Sequence, residues 1–283
     1  MQNKMDEVFA ALRSRKEGAL IPLSPGDKAP YSFSLELVDM FNRVGSDIVE
    51  IAIPTRYPWM EGKNMQIHQL DAIRDEVHTA DSFGLMEAAH KMHPDLPLVT
   101  INFMGPVFRY GAHKYAESCQ KAGIVGADVP DYPYVVGDDQ EKFGRDLLDH
   151  GAHFIVDITM DVATAPEGSP KYALLEKLIK LSSGFLFLIA QAGGMSGAKD
   201  KLPADELTPA CERIRRLEEK FGVSTPIIVV CGISTPEQVH DSLRLVGADG
   251  VMLGSAVSKR LQAGESIEKV EPFVKSLKDA TRL

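Results

Sequence analysis

Glu50 stands in the middle of an apolar run, Asp47-Ile48-Val49-Glu50-Ile51-Ala52-Ile53-Pro54. Burial penalises a carboxylate's charge, so an acid at such a position is either used or paired. Used, it would be lifted by desolvation toward the pKa of a general acid–base. Paired, it would face a buried Arg or Lys. Glu61 follows in the loop Pro54-Thr55-Arg56-Tyr57-Pro58-Trp59-Met60-Glu61-Gly62, which also carries the only Trp of the chain. It reads as a second site acid or as a solvated loop residue. Asp128 closes the run Gly126-Ala127-Asp128-Val129-Pro130. It either orients a polar substrate group or forms a turn by accepting from backbone N–H groups. Asp157, in Val156-Asp157-Ile158, carries the same ambiguity as Glu50.

Three glycine-bearing loops add a second kind of chemistry. They are Gln191-Ala192-Gly193-Gly194-Met195-Ser196-Gly197-Ala198, Cys231-Gly232-Ile233-Ser234-Thr235 and Gly254-Ser255-Ala256-Val257. Glycine lets backbone N–H groups approach an anion, and a helix N-terminus adds its dipole. Three such loops at the last three apolar runs predict a phosphate site; singly, each would be an ordinary strand–helix turn. His90, His93, His113, His150 and His240 fall in or beside helical patterns, and no HxxxH or HExxH occurs, so no catalytic metal is expected.

The elements that must position these residues are legible as a repeat. Eight near-continuous apolar runs occupy residues 19–23, 47–53, 98–103, 124–129, 154–158, 185–190, 227–230 and 250–253. Unbroken apolarity, rather than alternation, fits parallel strands buried on both faces. Amphipathic stretches lie between them, marked by Leu37, Met40, Phe41 and Val44, by Leu174, Leu175, Leu178 and Ile179, and by Val239, Leu243 and Val246. Gly45, Gly123, Gly151 and Gly247 each stand just past a helical pattern, where a left-handed cap belongs. Eight strand–helix units predict an α/β fold, a (β/α)8 TIM barrel formed as a single domain over 1–283, with an N-terminal helix from MQNKMDEVFAALRSRKEG. Chemistry in such a barrel sits at the strand C-termini. An open doubly wound sheet is the alternative, but no GxGxxG follows the first run, so a dinucleotide site has no support.

Composition narrows the function classes. The 283 residues are 44% hydrophobic and 25% charged, as in a packed globule, with net charge −9 and hence no basic field for nucleic acid or an acidic membrane surface. No run approaches the roughly 20 apolar residues that span a bilayer. Cys119, Cys211 and Cys231 lie far apart without a CxxC, and no secretion signal is read, so a cytoplasmic location is expected.

The motifs together resemble the tryptophan synthase alpha subunit family. The resemblance rests on Glu17-Gly18-Ala19-Leu20-Ile21-Pro22 with Gly26-Asp27, on Asp47-Ile48-Val49-Glu50-Ile51 with Ile53-Pro54, and on Ala127-Asp128-Val129-Pro130. It continues in Ser196-Gly197-Ala198, Gly232-Ile233-Ser234-Thr235-Pro236-Glu237-Gln238-Val239 and Gly254-Ser255-Ala256-Val257, and spans Phe9 to about Ala280. It implies a cofactor-independent carbon–carbon lyase of tryptophan biosynthesis that cleaves indole-3-glycerol phosphate to indole and glyceraldehyde 3-phosphate. Glu50 would be the acid that protonates indole C3, and Glu61 the group holding the indole N–H. Gly197, Gly232, Gly254 and Ser255 would hold the phosphate. Phe103 and Leu23 would line the substrate, and Asp128 matches an aspartate on the strand-four loop. The resemblance also implies a beta-subunit partner.

The departures concentrate at one end. Glu61 replaces an aspartate and is one methylene longer, Tyr57 replaces an acid, an arginine is missing from the loop at 191–197, and the loop Leu23-Ser24-Pro25-Gly26 is one residue short. The phosphate end is kept and the aromatic end is remodelled, which weakens the expected beta-subunit contact. Two alternatives therefore stand beside the lyase: a paralogous lyase or aldolase on another phosphate-bearing substrate, and a catalytically silent barrel serving as partner subunit or phosphate sensor.

Overall fold

The computed structural model describes residues 2–131, 139–190, 202–230 and 232–283. Eight parallel strands close into a barrel in sequence order: β1 (Ala19–Ser24), β2 (Val49–Ala52), β3 (Leu98–Ile101), β4 (Ile124–Asp128), β5 (His153–Thr159), β6 (Leu186–Ile189), β7 (Ile227–Val230) and β8 (Gly250–Leu253). All eight apolar runs thus hold a strand, and the open-sheet alternative is excluded. The runs overshoot the ladders at β2 and β3, because apolar residues continue into the turns; Ile53 still donates its N–H to the Ile101 carbonyl beyond the end of β2.

The helices are α1 (Lys4–Arg15), α2 (Ser32–Arg43), α3 (Lys63–Arg74), α4 (Thr79–Met92), α5 (Met104–Tyr110), α6 (Ala112–Lys121) and α7 (Asp139–Asp149). They continue with α8 (Met160–Ala163), α9 (Pro170–Leu181), α10 (Ala204–Phe221), α11 (Pro236–Arg244), α12 (Ser255–Gln262) and α13 (Ile267–Asp279). Leu37, Met40 and Phe41 on α2, Leu175, Leu178 and Ile179 on α9, and Val239 and Leu243 on α11 are all buried, as their spacing requires. Gly45 (φ 83°) and Gly247 (φ 77°) adopt the left-handed conformation at the helix-to-strand joints.

Side chains alternate along each strand, which divides the core in two. Outward residues such as Leu20, Val49, Ile51, Val156 and Leu188 pack under the helices. Inward ones such as Ile21, Ile48, Val99, Ile155, Phe187 and Ile228 fill the barrel. Helix α1 closes the barrel's base with Met5, Phe9 and Leu12, and the Phe9 ring meets the edge of Phe185 at a centroid distance of 6.0 Å. Its Asn3 accepts from the Met5 N–H as N-cap and donates through Nδ2 to the Val125 and Gly151 carbonyls, at 2.8 and 3.2 Å. A local capping residue thereby fastens the plug to the bottoms of β4 and β5. Among the described residues, no helix is long and apolar enough to cross a membrane.

Candidate active site

The inward parity that fills the base with apolar side chains delivers acids to the mouth. On β2 the inward sequence is Ile48, Glu50, Ala52, and Glu50 sits in register with Leu23 of β1 and Val99 of β3. On β4, Asp128 pairs with Ile101 and Ile155 of the neighbouring strands. On β5, Asp157 follows Ile155 by two residues and pairs with Phe187. A cavity of about 750 Å³ opens above them, a volume suited to a small ligand. Glu50, Glu61, Asp128, Leu23, Phe103, Gly232, Gly254 and Ser255 all line it; Asp157 lines it too, although the resemblance gave it no role. Gly197 lies outside the described residues.

The two readings of Glu50 separate when it is set beside Asp47, three residues earlier. Asp47 is a paired acid: its carboxylate accepts from Lys278 Nζ at 2.7 Å and from the Leu20 N–H at 2.8 Å. Glu50 is fully buried, and neither carboxylate oxygen has a hydrogen-bond partner among the described residues. Burial pushes its pKa well above the usual carboxylate range, and the negative charges of Glu61 and Asp157 push it further. Its surroundings therefore favour the protonated carboxyl over the carboxylate.

Glu61 is not a solvated loop residue. It is buried, with Oε1 unpartnered among the described residues, and burial lifts its pKa to about 7. The turn that aims it inward is made by its own N–H donating to the Pro58 carbonyl and by Gln66 Nε2 donating to its carbonyl. The same loop turns Arg56, Tyr57 and Trp59 out to solvent, with Tyr57 75% and Trp59 54% exposed. These aromatics neither narrow nor line the cavity. Asp128 is buried with Oδ1 unpartnered among the described residues. Its pKa is raised by burial first, then by Asp157, Glu50 and Glu61. Asp157 is raised to about 8, by burial and then by Glu61 and Asp131.

Gly232 and the turn at Gly254 to Ser255 line the cavity from the ends of β7 and β8. Gly232 has φ 101°, a conformation that a side chain would strain. Gly254 is the N-cap of α12 and offers no side chain to its first-turn N–H groups, which leaves that helix start suited to an anion. A Cβ at Gly254 would meet Leu23 and Met252 at 3.6 Å, so a methyl there would stand in the mouth against the lining. Met60, Met65, Phe187 and Met252 add to the apolar lining, and among the described residues no histidine lines the cavity. Their inward parity on β6 and β8 was the signal available for Phe187 and Met252; the loop and helix methionines carried none.

A family model described as "Tryptophan synthase alpha chain" matches residues 9–282. The tryptophan synthase alpha chain of Methanosarcina mazei is 31% identical, covering 97% of this chain and 93% of its own; that of Aquifex aeolicus is 27% identical over 99% of both. A solved structure of Mycobacterium tuberculosis tryptophan synthase superposes with a TM-score of 0.82 at 22% identity, covering 100% of each chain, and supports the fold.

Proposed function

Since the chain belongs to the tryptophan synthase alpha chain family, we propose that it cleaves indole-3-glycerol phosphate into indole and glyceraldehyde 3-phosphate. The observation that carries this reading is Glu50: a buried acid without a partner among the described residues, lining a cavity that Gly232, Gly254 and Ser255 also line. In the reaction Glu50 gives its proton to indole C3. Glu61 accepts from the ring N–H and stabilises the positive charge that protonation creates there. The Glu50 carboxylate left by that transfer takes up the proton of the glycerol C1 hydroxyl, which turns that carbon into the aldehyde and restores the acid. The bond between C1 and indole C3 breaks, and its electrons restore the aromatic ring. The net change is one proton moved from hydroxyl to carbon, so no redox partner is required. The ring acts as electron sink, and the burial that raises the pKa of Glu50 favours the protonated form that this step needs.

The phosphate is held by the backbone at Gly232 and by Gly254 and Ser255 at the start of α12, with Gly197 contributing from its own loop. Leu23 and Phe103 pack on the indole, and Asp128 orients the glycerol hydroxyls. A beta subunit docks on the mouth face, where Tyr57 and Trp59 stand exposed as interface aromatics, on a loop that departs from the family pattern. Cys119 and Cys211 are free and buried, in keeping with a reducing cytoplasm.

The test is steady-state indole release from indole-3-glycerol phosphate, with and without a beta subunit. Indole formation is expected from the chain alone and faster formation in the complex. No indole under either condition would refute the reading.

A further inference from the structure

On the outer layer, away from the cavity, His113, Asp146 and His150 converge from two helices. His113 stands at the second position of α6; Asp146 lies in the last turn of α7, and His150 just beyond it. Each offers one ligand atom, and the three atoms lie within 4.8 Å of one another. His113 Nδ1 is 3.0 Å from both oxygens of the Asp146 carboxylate, and the two imidazole rings meet edge-on with centroids 5.3 Å apart. We propose that these three side chains form a binding site for a divalent first-row transition ion, clamping α6 to α7.

The donor set chooses the ion class. Two imidazoles and one carboxylate suit Zn²⁺, Ni²⁺ or Cu²⁺, whereas Mg²⁺ and Ca²⁺ prefer all-oxygen shells. In a tetrahedral shell with bonds of about 2.1 Å, ligand atoms stand about 3.4 Å apart. The His113–Asp146 separation of 3.0 Å is close to that spacing, and His113 is exposed enough to adjust to it. The surroundings orient the rings as a metal site does. His150 Nδ1 lies 2.7 Å from the Asp146 backbone carbonyl, which anchors its ring over the helix end. The Glu117 carboxylate, one turn along α6, faces the other His113 nitrogen at 3.5 Å. Beneath the cluster the scaffold is packed: Tyr115 of α6 meets Phe143 of α7, and Phe143 meets Phe154 of β5. A bound ion would tie together the helices that flank β4, the strand carrying Asp128. An HxxxH pattern does not reveal the site because His113 and His150 are 37 residues apart, one on α6 and the other just past α7.

The experiment is thermal unfolding of the full chain after chelator treatment, with and without Zn²⁺, and a calorimetric titration of Zn²⁺. Zn²⁺ at about a hundredfold over its Kd should raise Tm by roughly 5–10 °C, with one ion bound per chain. His113→Asn and His150→Asn, both surface changes that keep the fold by circular dichroism, should each abolish the rise and the binding isotherm. Mg²⁺ should give no rise in any variant. Absence of a Zn²⁺-dependent rise in the unmutated chain overturns the proposal, as does a rise that survives both substitutions.

Discussion

At the base of the barrel, Met5, Phe9 and Leu12 close on Phe185; at the mouth, Glu50, Asp128 and Asp157 occupy the same inward-facing positions of their strands. The step between the two regimes is one pleat. Ile48 gives way to Glu50 along β2, and Ile155 to Asp157 along β5. One end minimises free energy by removing apolar surface from water. The other holds several acids where their charge is penalised, and each has its pKa raised by burial first. A site that keeps a proton ready at neutral pH is thus stabilised by its surroundings rather than by its own contacts.

The largest effect belongs to the base. Phe9→Ala removes the ring that meets Phe185 and should cost about 3–5 kcal/mol of stability, read by denaturant unfolding, while turnover per folded molecule stays unchanged. A fall in turnover as large as the fall in stability would mean that base and mouth are not separable.

At the phosphate wall, Gly232→Val forces a β-branched residue to φ 101° and should weaken inorganic phosphate or glycerol phosphate binding about ten- to a hundredfold, with the far-UV spectrum retained. Unchanged affinity would move the anion site elsewhere.

The smallest effect sharpens the contrast itself. The pKa of Asp157 is about 8 in the folded chain, against about 3.9 for an exposed aspartate. Folding therefore binds a proton, and the stabilisation it confers is full below pH 4 and lost as pH rises through 8. Asp157→Asn should match the unmutated chain in Tm near pH 4, exceed it by a margin that grows up to about pH 8, and keep a constant margin above that. The reverse slope would mean that the aspartate is favoured as an anion.

The barrel was legible because each strand lies in a near-continuous apolar run and several joints carry their own punctuation, as at Gly45 and Gly247. The plug was only half legible: amphipathy marked α1 as a helix, but its contact with Phe185 joins residues 176 positions apart, and no local pattern encodes that (185 − 9 = 176). In the candidate site, Glu50 and Asp128 were visible as acids in apolar runs. The burial of Glu61 was not, because a tertiary turn through Pro58 and Gln66 sets it, and the outward direction of Tyr57 and Trp59 follows from the same turn. Asp157 was visible as an acid but not as a cavity residue until the closed barrel fixed which face of β5 looks inward.

Whether the mouth exchanges stability for chemistry at Glu50 is tested in one preparation by Glu50→Gln. At pH 7.5, indole release and Tm are measured together. Turnover is expected to fall by about 10²–10⁴-fold, with Tm unchanged or raised, because a buried acid without a hydrogen-bond partner among the described residues has been replaced by a neutral isostere. Near-normal turnover accompanied by a fall in Tm would contradict it, and would make Glu50 a structural acid.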